Sequence, residues 1–534
     1  MIKKVIALLM VFCMLFAAGC KGDTENNSSA DNQSGPSATE APSELQLLYC
    51  ANDTLNPYKT ISKLNAELAY LLFDPLVKID NDFEMVSVLA DSITVQDKTY
   101  TVTLKKAEFS DKSKVTADDV VFSFNLARES DRFSYLFYEV ESAVATDPKT
   151  VVFTLNNYDP YFAKLLTFPI LKTGSDNLKN EDNVELVPIG SGKFVFSEDQ
   201  SSLIPNTNHF GTKTTVSKIN LINAPDNESM QHYVEVGATD IYYAEMLDDN
   251  IIRMSGKKTK VNLDNLIYLG INHNYAPLKS DELRYAISAA VSRDAIVNRC
   301  FYTNALVATG FFHPDWKEVS DYQTIGSSAN LKISVENLEK IGYNSLNADG
   351  FLESKSGNVL ELSLLVNKNS STKLAAANLI KEQLGEAGIK INLNAVDEEN
   401  YFRALNEGSF QLYVGEIKIA PNMDIRSLVI RGGKASFGMP ALTVPSETPV
   451  TEEGQAEEQV PHFDAETSYI SVVNGFYEGK NTAIDVASAL LASMPVIPLI
   501  YRSSIVFYSN DIEDIGPVSD CDIFMSIDKY KIIK

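Results

Sequence analysis

Side chains able to do chemistry are plentiful in this 534-residue chain, but they do not stand at the spacings chemistry needs. Lys193, in Gly190-Ser191-Gly192-Lys193-Phe194, is the nearest approach to a phosphate-cradling loop. Such a loop needs glycine where Val187 stands and Ser or Thr where Phe194 stands, so both tests fail. The sequence holds no G-x-S-x-G elbow, no H-E-x-x-H pair and no Cys-x-x-Cys. Its five histidines, at 209, 232, 273, 313 and 462, are scattered, which argues against a His-built metal centre. His273, between Asn272 and Asn274, is the one near a plausible cleft, and a structural role suits it best. Carboxylates are so numerous that some pair will always be found, so a glycosidase-type pair cannot be argued. The sequence implies no metal, no cofactor and no catalytic residue. An enzyme is not expected; a binder is.

Charge narrows the partners. With 71 acidic against 46 basic residues the chain carries a formal charge of −25, and no Lys/Arg-rich stripe appears. That balance repels phosphate backbones and excludes nucleic-acid binding. A hydrophobic share of 45% is ample for packed cores, and the length predicts about three domains.

The first residues predict export. Lys3 and Lys4 precede an apolar run from Val5 to Ala18, then Gly19 and Cys20. At about 1.5 Å per residue this run is too short to cross a hydrocarbon core of about 30 Å, so 1–20 is a signal peptide. Leu15-Phe16-Ala17-Ala18-Gly19-Cys20 resembles the lipobox of bacterial lipoproteins, which makes Cys20 the expected lipidation site. Residues 21–44 contain no Val, Ile, Leu, Met or aromatic side chain and are expected to form a disordered tether. The expected location is therefore the extracytoplasmic face of a bacterial membrane, anchored by lipid. Cys50, Cys300 and Cys521 are widely spaced and odd in number, which fits lone core cysteines.

The elements that must position any site follow from periodicity. Leu45–Cys50, Tyr100–Leu104 and Thr150–Leu155 have strand character, and Ala66–Phe73 looks helical. Thr116-Ala117-Asp118-Asp119 is a capped helix start with acids at the positive end of the dipole. Ser280–Val297 predicts one long helix, with Leu283, Ala286, Ile287, Ala290 and Val291 on a single face. Leu360–Val366, Lys373–Ala387 and Ile389–Val396 predict a strand–helix–strand unit with a parallel pair, closed by Gly388. Residues 439–463 hold four prolines and five glutamates and predict a flexible acidic loop.

Several stretches, taken in order, resemble one family. They are Thr54-Leu55-Asn56-Pro57-Tyr58, Phe73-Asp74-Pro75-Leu76-Val77, Val115–Phe124, Pro188–Phe194, Leu283–Val297 and Pro495–Leu499. The set is similar to the bacterial solute-binding proteins of family 5, the oligopeptide/dipeptide/nickel type that serves ABC importers. The resemblance implies an α/β, two-lobed periplasmic-binding-protein architecture (type II, cluster C-like) with an extra α/β domain inserted in lobe I. It implies lobe I at 45–85, 186–268 and 496–534, the inserted domain at 86–185, and lobe II at 269–495. The implied partners are a short peptide or other small solute and the subunits of an ABC permease, with the binder a monomer held to the membrane by its N-terminal lipid.

One departure from the family bears on the ligand. Many peptide binders of this family carry an aspartate in a G-W-x-A-D-Y-like segment that pairs with the peptide's ammonium group. The matching stretch, Leu412–Asp424, lacks the tryptophan and has Ala420 at or beside the aspartate's place. Either Glu416 or Asp424 supplies the carboxylate, or the ligand has no free amine. The alternative for both acids is exposure to solvent, or pairing with Lys418 or Arg426. The candidate ligand-binding residues are Asn56, Tyr58, Glu416, Asn422 and Asp424, although turn formation alone explains an Asn-Pro at 56–57. A non-peptide solute, an oligosaccharide or a metal chelate, and a surface peptide sensor without transport are the competing expectations.

Overall fold

The computed structural model describes residues 43–246, 252–322, 325–440 and 469–533. The expectations for Cys20, for the tether as far as residue 42 and for the acidic segment from residue 441 lie outside the described residues. No helix among the described residues is long and apolar enough to cross a membrane.

Three sheets organise the body. The first has strand order Glu44–Tyr49, Lys218–Asn223, Ser202–Pro205, Phe194–Phe196, with the leading pair parallel. The turn that feeds it, Pro188–Phe194, needs its glycines. A Cβ on Gly190 would lie 2.1 Å from the Leu72 carbonyl oxygen, and one on Gly192 would lie 2.3 Å from the Leu72 carbonyl carbon. Only a bare backbone passes that close to the end of helix Lys63–Leu72.

The second sheet, wholly antiparallel, runs Ala90–Gln96, Thr99–Leu104, Thr150–Leu155, Val140–Asp147. Thr99–Leu104 and Thr150–Leu155 alternate buried and half-buried side chains, as their sequences predict. Helix Ala117–Glu129 covers the sheet, and Thr116 and Asp119 complete its capping box. Edge-to-face contacts of Phe124 with Phe137 and Phe153 fill the core.

The third sheet has seven strands, and its backbone is a pair of long ones. Lys257–Ile271 and Val496–Tyr508 run antiparallel, with Leu412–Lys418 on the outer edge of the former. Their inner halves, with Val261 and Val506, pack in the core of the first sheet. Their outer halves, with Leu266, Tyr268 and Tyr501, pack in the core of the larger lobe. The register slips between Asn262 and Leu266, where the pair crosses from one core to the other.

Beyond them Glu361–Asn367 and Lys390–Val396 form the expected parallel pair, joined by helix Ser371–Glu386 and by Gly388 at φ +83°. The helix expected over Ser280–Val297 is instead two, Asp281–Ala290 and Arg293–Cys300. Val291 is extended and Ser292 caps the second helix by accepting from the Ala295 N–H. The buried Arg293 then donates to the carbonyls of Pro498 and Ser288. The three cysteines in the described body are free.

Candidate functional site

A cavity of about 360 Å³ lies in the larger lobe. It opens beyond the carboxyl end of the parallel strand Glu361–Asn367, where α/β sheets bind ligands because helix N-termini converge there. Helix Ser371–Glu386 begins at its rim, with Ser370 as N-cap and Lys373 in the first turn. Helix Glu398–Glu407 supplies an aromatic wall, Tyr401 and Phe402, packed edge to face. Phe402 is 47% exposed, a large apolar surface left open at the cavity. On the sheet side, Tyr268 and Tyr413 approach each other through their hydroxyls at 3.3 Å, and both donate to the Ala435 carbonyl. Lys434 and Glu398 add one charge of each sign.

Of the five residues expected to bind ligand, only Glu416 lines this cavity. Its carboxylate is already neutralised within the protein. Lys373 Nζ lies 3.0 Å from Oε2 and Arg502 Nε 2.9 Å from Oε1, and Asn265 Nδ2 donates to Oε1 at 3.2 Å. Burial pushes the Glu416 pKa up, but the two cations outweigh it and the carboxyl titrates below its ordinary range. Arg502 is itself buried and also donates to the Met246 carbonyl at 2.8 Å. The triad fixes the floor of the cavity in an ionised, paired state.

The other four stand elsewhere. Asp424 accepts from Arg426 Nη2 at 2.7 Å and from the Tyr138 hydroxyl at 2.5 Å, so the Arg426 pairing raised by the sequence is present. Asn422 donates to Asp159 at 2.6 Å. Tyr138 and Asp159 belong to the segment that carries the second sheet, so Asn422 and Asp424 bind that segment to the larger lobe. Burial raises the Asp159 carboxyl to about 6. Asn56 accepts from the Tyr58 N–H and donates to the Asp176 carbonyl, and Tyr58 donates to the Pro169 carbonyl. Both lock the 53–60 turn onto the chain at 169–176. His273 holds the Pro495 carbonyl through Nε2 at 2.8 Å, a structural bond, and burial lowers its pKa to about 4. Lys193 pairs with Asp528 at 2.6 Å.

Sequence reasoning missed Lys373, Tyr401, Phe402 and Lys434. A lysine in the first turn of a helix is the one local oddity that pointed to Lys373, since cations are disfavoured there unless a carboxylate receives them.

A continuous strand pair crossing two cores, with an open cavity on one side, defines a two-lobed α/β binding fold. Residues 84–430 match the family described as bacterial extracellular solute-binding proteins, family 5 (middle), and the chain belongs to it. It is a substrate-binding protein of the ABC-importer type, not an enzyme. The oligopeptide-binding protein AppA of Bacillus subtilis is 24% identical over 455 residues, covering 81% of this chain and 80% of AppA. The structure of the substrate-binding protein CtaP of Listeria monocytogenes aligns with a TM-score of 0.66 at 18% identity, covering 92% of this chain and 100% of CtaP. NikA of Brucella suis, solved with Fe(III)-EDTA, aligns with a TM-score of 0.64 at 17% identity, over 91% of this chain and 99% of NikA.

Proposed function

We propose that the chain is a lipid-anchored receptor, tethered through Cys20 on the extracytoplasmic face of a bacterial membrane. It captures a short peptide or peptide-like solute between its two lobes and hands it, as a monomer, to an ABC import permease. The observation that carries solute binding is the cavity in the larger lobe at the carboxyl end of Glu361–Asn367, with its aromatic wall and its paired charges, and closure of the other lobe over it is part of the proposal. Apolar walls with a few fixed polar groups accept a side chain and orient the chain that bears it. The likeness to AppA supports a peptide. Lobe I is assigned to 45–85, 186–268 and 496–534, the inserted domain to 86–185, and lobe II to 269–495. Contacts from both lobes favour the closed form, which a permease can distinguish from the open one.

A metal chelate or other anionic solute is the second reading. It is favoured by the internal pairing of Glu416 and Asp424, which leaves neither acid free for an ammonium group. Native mass spectrometry of residues 42–534, purified gently from the source host, separates the two. A ladder of co-purified short peptides supports the peptide reading; a single non-peptide mass overturns it and keeps the receptor.

A further inference from the structure

One short turn grips the crossing strands where their register slips. The Asn262 N–H donates to the Asn81 side chain at 3.0 Å, and Asn262 Nδ2 donates to the Asn81 carbonyl at 3.2 Å and to Asp315 at 2.7 Å. Asn81 lies in the turn that joins Val77–Ile79 to Met85–Ser87. Two residues on, Phe83 seats its ring in the core of the larger lobe. The ring is 4% exposed, and its centroid lies 4.4 Å from that of the fully buried His313. The turn therefore holds the strand at the slip with one residue and the larger lobe with another.

Its backbone is held in an uncommon shape to do so. Phe83 has φ +61°, a left-handed conformation that bulky side chains rarely adopt. Asp80 fixes it by accepting the N–H groups of Asp82 and Glu84, both at 2.9 Å. The Phe83 carbonyl accepts from Lys164 Nζ at 2.7 Å, and that ammonium lies over the rings of Tyr161 and Trp316. A conformation of this kind persists only where the surroundings over-determine it, and such residues gather at switches and clamps.

A second seam lies on the segment that carries the second sheet. That segment is mounted on the side of the first sheet, through Tyr58 to the Pro169 carbonyl and through the Ser110 N–H to the Gly190 carbonyl at 2.9 Å. It reaches the larger lobe through the Asp159–Asn422 and Tyr138–Asp424 bonds. The chain's own residues make every one of these contacts, and none of those residues lines the cavity. Polar interfaces of modest size leave domains free to move, whereas a buried aromatic joint resists movement.

We propose that the 80–84 turn is a brake on the hinge, which holds the two lobes shut in the solute-free receptor. Solute then enters during brief openings and does not itself draw the lobes together. This rests on the two-lobed receptor reading above and adds a regulatory device to it. Only the open fraction can bind, so the rate of capture levels off at the rate of opening as solute concentration rises.

The test uses residues 42–534, which form one compact unit, and a pool of random tetrapeptides as the probe. Small-angle scattering reads the radius of gyration with and without the pool, and thermal shift reads binding in the same samples. The solute-free natural chain is expected to scatter as the closed structure does, with a radius that the pool leaves unchanged. Phe83→Ala is expected to be larger when empty and to contract with the pool. Its amide exchange should rise at least about tenfold at 313–316 and 422–426, while Thr99–Leu104 keeps its protection and shows that the body is still folded. Asn81→Ala, which removes only the grip on Asn262, should expand the empty chain in the same direction by less. A natural chain that is expanded when empty, or that contracts on binding the pool, overturns the brake. A pool that produces no thermal shift overturns the peptide reading, and the scattering of the empty natural chain still decides the brake. That arm needs no variant.

Discussion

Removing the charge of Glu416 tests whether the ion triad holds the floor of the cavity. Glu416→Gln keeps the shape and leaves Arg502, whose side chain is 2% exposed, without its counter-charge. At the observed 2.9 and 3.0 Å, with an effective dielectric near 20, each pair is worth roughly 5–6 kcal/mol of raw attraction. Desolvation offsets much of this, and breaking a buried pair costs about 3–5 kcal/mol. Glu416 retains 16% exposure, so solvent relaxes part of the loss and the expected cost is about 2–3 kcal/mol. Lys373→Met should cost less, about 1 kcal/mol, because Lys373 is more exposed and Arg502 remains paired.

Trp316 provides the assay. It is the chain's only tryptophan and is buried in the core that contains Tyr268 and Tyr413, so its fluorescence in urea reports unfolding of this lobe. The pH dependence has a definite sign. Glu416 titrates below its ordinary 4.5 when folded, so its stabilisation is fully present above that value and is lost as pH falls through the folded pKa. Glu416→Gln should lack this share of acid sensitivity. A cost below about 0.5 kcal/mol, typical of an ordinary surface change, or a larger cost for Lys373→Met, refutes the triad as a structural unit.

Further substitutions examine the parts that position the site. Gly192→Ala should destabilise by about 2 kcal/mol or more in the same urea assay, because the new Cβ meets backbone at 2.3 Å; a neutral result contradicts the close approach. Thr116→Ala removes one half of a capping box and should cost about 1 kcal/mol, with faster amide exchange in the first turn of Ala117–Glu129; unchanged exchange contradicts the cap. Asp424→Asn leaves Arg426 with Glu139, 3.5 Å away, as its remaining carboxylate. Amide exchange at 138–139 and 422–426 should rise by about tenfold; protection equal to the natural chain's argues that other contacts hold the junction.

How far the sequence carried the structure depended on how local the cause was. Alternation in Thr99–Leu104, the Thr116 cap and the Gly388 turn each depend on a few neighbouring residues, and the structure has them as expected. The break at Val291 was hidden because one acceptor of the buried Arg293 that follows it, the Pro498 carbonyl, lies on a strand two hundred residues away. The site was hidden for the same reason. Glu416 was visible as an acid near the expected place, but Arg502 and Lys373, which neutralise it, come from distant elements.

The central claim, that this cavity receives the solute, is tested most directly at Phe402. The side chain lines the cavity and is 47% exposed, so Phe402→Ala should leave stability nearly unchanged. If a solute side chain covers that ring on binding, the lost apolar contact should weaken affinity about tenfold. The measurement is calorimetric titration of the solute released from the natural protein into the natural chain and into Phe402→Ala. A tenfold loss of affinity at unchanged melting temperature is the predicted result. Equal affinity for the two chains would contradict the assignment of this cavity as the binding site.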